Sequence, residues 1–304
     1  MLTVLVGLTA ALVYGSADFL GGLASKRMSS IRVTAIGAVS GLVALFAAEA
    51  FIGGRWSWEA MLYGGISGIT GAVAITLLYA CLAIGPMSIL SPLAALVSAF
   101  VPLTAGLLRG DRLPLIGYVA IGIALVAVVL VGFVKEEGAV RPTLKALSMA
   151  VGAGAMIGVF LILIDLTPDD AGLVPLIANR AVNGIVMFLV IGVLILWTRR
   201  RARQSPTPVP AGSGVTAPKI GMLSPGWRAG LWIAVAAGVV DATANALLLI
   251  GLRLGDLTII SVLTALYPAG TILLAAIVLR ERIATVQALG LVLALIAAGM
   301  LAVA

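Results

Sequence analysis

The stretch LIGYVAIGIALVAVVLVGFV, Leu115 to Val134, runs for twenty residues without a charge, and segments like it recur along the whole chain. A helix needs about 20 apolar residues to cross a hydrocarbon core of about 30 Å. Each run therefore reads as a transmembrane helix. Composition agrees: 62% of the 304 residues are hydrophobic and 10% are charged, where a soluble domain carries about 25% charged residues.

The apolar pattern places ten helices at 2–24, 31–52, 60–84, 87–108, 114–134, 146–166, 173–197, 229–251, 257–279 and 284–303. The first run has the apolar core of a signal peptide, but it lacks a basic leading region and opens onto nine similar segments, so it reads as the first span. Most connections are too tight to hold an extramembrane domain. The exception is the basic, Pro- and Ser-rich stretch 198–228, which buries too little to offset its ordering entropy and is expected to be a flexible loop.

Comparing the chain with itself is more informative. A shift of 170 aligns residues 68–112 with 238–282 without a gap and gives 16 identities in 45 positions. The matches include Gly85 with Gly255, Ser91 with Ser261 and Arg112 with Arg282, and Asp111 falls opposite Glu281. Two halves of five helices follow, 1–142 and 143–304. An odd number of crossings per half inverts the second relative to the first. The expected fold is thus an all-α integral membrane protein of ten transmembrane helices, built as two inverted five-helix repeats around a central cavity. That design is typical of secondary transporters, which expose a site between the repeats to each side in turn.

The net charge of +7 does not point to nucleic acid, because the Lys and Arg residues lie almost wholly between the apolar runs. Fourteen fall in or at the edge of the odd-numbered connections, Arg32 at the very start of the second span among them, and four in the even ones, with Arg180 alone deep inside a span. The positive-inside rule then puts both termini outside the cell membrane, in which a multi-pass chain of this kind is expected to reside. The single cysteine, Cys81, and the absence of histidine exclude an intrachain disulfide, a Cys or His zinc site and an imidazole relay. No ATP-binding loop occurs either, and no cofactor is expected. Proton chemistry falls to carboxylates.

The segment SVLTALYPAGTILLAAIVLRERI, Ser261 to Ile283, resembles the penultimate helix of EamA-type transporters of the drug/metabolite transporter superfamily. The resemblance rests on Leu266-Tyr267-Pro268, with Glu281-Arg282 following. The first half carries a weaker version ending in Asp111, and Tyr14-Gly15-Ser16 is similar to the Trp-Gly-Ser of the family's first helix. It implies a ten-helix bundle moving small metabolites or drugs, often outward, with cytoplasmic termini. The charge count implies the opposite orientation.

Ionisable groups inside spans cost about 2.5–3.5 kcal/mol each at the bilayer centre, so each calls for a reason. Asp241 is thirteenth in its predicted helix, near the midplane, and Asn245 falls one turn later on the same face. The equivalent first-half positions are Gly71 and Ile75, so this polar patch is not part of the shared scaffold. It reads as a substrate ligand or a proton carrier between the two facing states. A structural hydrogen bond to another helix is the alternative. Asp18 is shallower, about 9 Å below the interface, and is placed either on the cavity wall with Tyr14, one turn earlier, or in a pair with Lys26 or Arg27. Arg180, flanked by Asn179 and Asn183, is expected to stretch toward Asp165, Asp169 and Asp170 at the nearer interface. In the cavity it would instead select anionic or zwitterionic solutes. Tyr267, before Pro268, is a further cavity candidate, and the proline is expected to break the hydrogen-bond ladder of its helix. Gly37 with Gly41, Gly64 with Gly68 and Gly154 with Gly158 have the spacing of close helix contacts.

Together these features point to a secondary transporter for a small organic solute, an exporter as the family resemblance implies, with proton exchange through Asp241 and Asp18. Its partners are the small-molecule substrate, protons and membrane lipid, and the chain acts as a monomer or homodimer. A passive facilitator or channel is the alternative. An intramembrane enzyme is least favoured, since no catalytic H-E-x-x-H or G-x-S-x-G is present.

Overall fold

The computed structural model describes residues 1–25, 27–28, 30–84, 87–132, 142–204, 227–278, 280 and 283–303. Among these the regular elements are helical: α1 (Leu2–Ser25), α2 (Ser30–Ile52), α3 (Trp58–Ile84), α4 (Met87–Arg109), α5 (Leu115–Gly132), α6 (Leu144–Asp165), α7 (Val174–Gln204), α8 (Trp227–Leu254), α9 (Leu257–Thr264), α10 (Tyr267–Val278) and α11 (Thr285–Val303). One 3-10 turn, Asp169–Ala171, links α6 to α7. Eight segments are long and apolar enough to cross a membrane, with α9 and α10 forming one of them, and the apolar parts of α4 and α5 are shorter. The chain is thus a ten-span bundle.

The spans match the apolar runs to within a few residues, except that α7 continues to Gln204. The helix-tolerant Arg-rich start of the long connection carries the helix beyond the hydrocarbon. The rest of that connection, 205–226, lies outside the described residues, as do Lys26, Gly85-Pro86 and Glu281-Arg282. The ninth span breaks between Thr264 and Tyr267. Pro268 has no N–H to give the preceding turn, and the chain compensates with tight bonds: Leu266 N–H donates to Leu263 O at 3.1 Å and Ala269 N–H to Leu266 O at 2.9 Å.

Helix packing reproduces the duplication. α1 packs on α8 as α6 packs on α3, α2 on α8 as α7 on α3, and α4 on α6 as the broken ninth span on α1. Exchanging the halves maps this set onto itself, while α2 with α7, α4 with α9 and α5 with α11 are pairs that map onto themselves. Glycine makes the closest crossings possible. Gly68 of α3 lies against the Asn179 carbonyl of α7, and Gly238 of α8, its mate under the shift of 170, lies against the backbone of Gly37 in α2. Gly154 and Gly158 likewise seat α6 on Ala94, Val97 and Val101 of α4.

A belt of polar contacts ties the helices together at the face that carries both chain ends. Glu49 at the end of α2 is buried and accepts from the Leu173 N–H at 2.7 Å. Arg109 pairs with Asp165 at 2.6 Å, and Arg253, in the last turn of α8, donates to the carbonyls of Gly172 at 2.9 Å and Pro168 at 3.3 Å. Asp111 crosses between the halves: one carboxylate oxygen accepts from the Thr258 N–H at 3.2 Å and its hydroxyl at 2.7 Å. The acid of the weaker motif therefore caps the first turn of α9 in the opposite repeat. Asp256 stands next to this contact, and burial together with the Asp111 charge pushes its carboxyl above the ordinary range.

Candidate functional site

A cavity of about 320 Å³ opens between the two halves, with walls from α1, α2, α3, α4, α6, α7, α8 and the break of the ninth span. Its polar groups reach it through helical periodicity. On α1, Tyr14, Ala17 and Asp18 share one face; on α7, Asn179 and Asn183 are one turn apart with Arg180 between; on α8, Ala237, Gly238, Asp241 and Asn245 form one stripe. The break after Thr264 turns Tyr267 inward to the same space. All seven residues singled out for substrate or proton binding thus line one cavity or its wall.

The charges within it are not equally compensated. The Arg180 guanidinium, 14% exposed, forms an ion pair with Asp241, 31% exposed, through one carboxylate oxygen. Asn245 Nδ2 donates to that same oxygen at 3.3 Å and to the Asp241 carbonyl at 2.8 Å. The pair holds each charge out of water at the price of fixing both side chains. Asp18 is exposed to the cavity, and among the described residues no cation faces it as Arg180 faces Asp241. The other acid of the cavity wall is Asp241. Tyr14 and Tyr267 line the same cavity as Asp18. When both carboxylates are ionised, they and the one guanidinium give the lining a net charge of one negative.

The expected reach of Arg180 toward Asp165, Asp169 and Asp170 is not what the chain does. Asp165 takes Arg109 and Asp170 takes Arg55, at 3.3 Å. Arg180 instead turns inward and pairs with Asp241, across α7 and α8. Asp241, read from the sequence as a substrate ligand, a proton carrier or a partner in a structural bond, thus has an ion-pair partner on α7.

Asn179 is buried and donates from Nδ2 to the Ser67 hydroxyl of α3 at 2.8 Å, and Ser67 donates on to the Gly64 carbonyl at 2.6 Å. It holds the α3–α7 crossing rather than presenting its amide to the cavity. Sequence reasoning gave no role to Asn183, Thr264, Ser98, Ser261 or Phe160, all of which line the cavity. For Asn183 a signal existed, the one-turn spacing from Asn179. The hydroxyls gave none, since Ser and Thr inside spans ordinarily bond the preceding turn, as Ser98 does to Ala95 O at 2.8 Å.

A second, apolar cleft of about 430 Å³ lies between α2 and α7 and shares Ala38 and Arg180 with the cavity. Its outer wall, Val39, Ile185, Phe188 and Leu189, is exposed on the lipid side of the bundle.

The model of the EamA-like transporter family matches residues 1–133 and again residues 144–303. No curated protein matches the chain. A solved structure described as "Crystal structure of protein" is similar with a TM-score of 0.72 and 18% identity, over 98% of this chain and 95% of that one. At that identity the likeness concerns the fold. The family match spans nearly all of the chain in two copies, and the ten-span bundle has the form that such a family requires. The chain belongs to the EamA-like transporter family and is a multi-pass membrane transporter of the drug/metabolite type.

Proposed function

We propose that the protein moves a small organic metabolite or drug by alternating access, most simply outward, with the cavity between the halves as its binding site and proton exchange as its drive. The observation that carries this reading is the charged cavity at the interface of two inverted repeats, the place where such transporters hold their solute. The halves, 1–142 and 143–304, act as the two rocking units. The belt at the terminal face, from Glu49, Asp111, Asp165 and Arg253, is the set of contacts that must part when the site turns to that side.

Between the two acids, Asp18 is the better proton carrier in this reading. Asp241 already has Arg180 as its countercharge, whereas Asp18 can exchange a proton for a solute without breaking an ion pair. The test is uptake into proteoliposomes from a metabolite mixture, with and without an imposed pH gradient. A solute should accumulate above its outside concentration only with the gradient, and Asp18→Asn should equilibrate it without accumulation. Accumulation that ignores the gradient, and that Asp18→Asn retains in full, would overturn the coupling.

A further inference from the structure

The balance of polar groups in the cavity bears on the class of its solute. Asp18 brings a charge that no described residue neutralises. Among the buried polar lining residues, Asn183 is 4% exposed and Thr264 8%. Asn183 Oδ1 and Thr264 Oγ1 have no hydrogen-bond partner among the described residues. A carboxylate and an amide oxygen only accept, and a hydroxyl can do so. Three of the N–H-bearing side chains, by contrast, are already turned to partners: Arg180 and Asn245 to Asp241, and Asn179 to Ser67. What the wall lacks is a cation with N–H groups to give.

The rest of the wall suits an apolar body behind that cation. Ile75, Leu78, Ile157 and Phe160 line it beside the rings of Tyr14 and Tyr267. Aromatic faces attract a cation and cover hydrocarbon equally well. The volume of about 320 Å³ lies at the small end of ligand pockets and excludes a large, multiply ringed solute. An anion would face two carboxylates. The carboxylate of a zwitterion would compete with Asp241 for Arg180, the one cation among the described lining residues.

We propose that the cavity takes a small monovalent organic cation, an ammonium group on an apolar body, with Asp18 as its countercharge and Asn183 and Thr264 as acceptors. This rests on the transporter reading above and narrows it to one chemical class. The probes are four molecules of one shape that differ in charge: phenethylammonium, 2-phenylethanol, phenylacetate and phenylalanine. Their binding to the purified full chain is measured by calorimetry, and their movement by proteoliposome flux.

Phenethylammonium should bind at least about tenfold more tightly than the alcohol, the anion or the zwitterion, since a charge-assisted hydrogen bond is at stake. Asp18→Asn should weaken the cation by about 10- to 100-fold and leave the alcohol unchanged, while Asp18→Glu should restore much of the difference. Thr264→Val is a milder second variant that keeps every charge and should weaken the cation alone. Equal binding of all four probes, or preference for phenylalanine or phenylacetate, would overturn the class. Flux of phenylalanine without cation binding would overturn the class and leave the transporter reading standing. Cation binding without flux of any probe would support the class and count against that reading.

Discussion

Arg180→Met is expected to destabilise the folded protein by about 3 kcal/mol, and adding Asp241→Leu should recover most of that loss. Among the described residues Arg180 is the one cation lining the cavity, and it holds Asp241 through an ion pair. Without it, Asp241 and Asp18 face the same cavity with no countercharge between them. Removing both members of the pair leaves an apolar contact between α7 and α8, which costs little. Unfolding of each variant in detergent, read as a double-mutant cycle, should give a coupling above about 1 kcal/mol. A double variant as unstable as Arg180→Met would mean that the pair is not what Arg180 stabilises. The cycle has a second readout in ligand charge. Loss of the whole pair keeps the cavity at one negative charge, so the double variant should still bind phenethylammonium.

The next largest effect concerns the crossings that bring the halves together. Ala at Gly68 would place a methyl against the Asn179 carbonyl and Val182, and Ala at Gly238 would place one against Gly37 and Ser40. In both cases the obstacle includes backbone, which cannot rotate away as a side-chain tip can. Each substitution should cost about 1–3 kcal/mol, measured by thermal unfolding in detergent. Gly22 meets nothing within 4 Å, and Gly22→Ala should be neutral or slightly stabilising because alanine favours helix. Similar losses at all three positions would show that helix propensity, not close approach, sets the effect. Because Gly68 and Gly238 are related by the shift of 170, their losses should be comparable.

Much of this fold was legible because lipid simplifies the problem. Every span had to show as an apolar run of fixed length, and the odd number of spans per half determined the inversion. The break at Pro268 followed from a missing N–H, and the shared face of Tyr14 with Asp18 followed from one helical turn. The partner of Arg180 did not follow. Depth and spacing set its height in α7, but three acids at the interface and one in α8 were all within reach of its long side chain. Only the rotation of α7 against α8, fixed by the glycine crossings, selects Asp241.

The belt at the terminal face was hidden for a related reason. Glu49 reads as an interfacial residue at a span end, Arg253 carries no motif, and Asp111 shows only as the acid of the weaker motif. Their partners are mostly backbone atoms, the Leu173 N–H, the Pro168 and Gly172 carbonyls and the Thr258 N–H. A backbone atom leaves no mark in a sequence. Likewise Asn179 reads as a cavity amide until Ser67, on a helix more than a hundred residues away, is seen to take its N–H.

The central claim is that one cavity serves both sides of the membrane in turn, and accessibility of a single thiol tests it most directly. Cys81 is buried and can be replaced by alanine, and Ser98→Cys then puts one thiol of nearly the same shape on the cavity wall. A membrane-impermeant thiol reagent is applied to oriented vesicles from the terminal face or from the opposite face, with and without a solute gradient. The account predicts modification from one face at rest, modification from the other when the gradient drives turnover, and protection by bound solute. Modification from both faces at once without solute would describe a channel, and modification from one face under every condition would contradict alternating access.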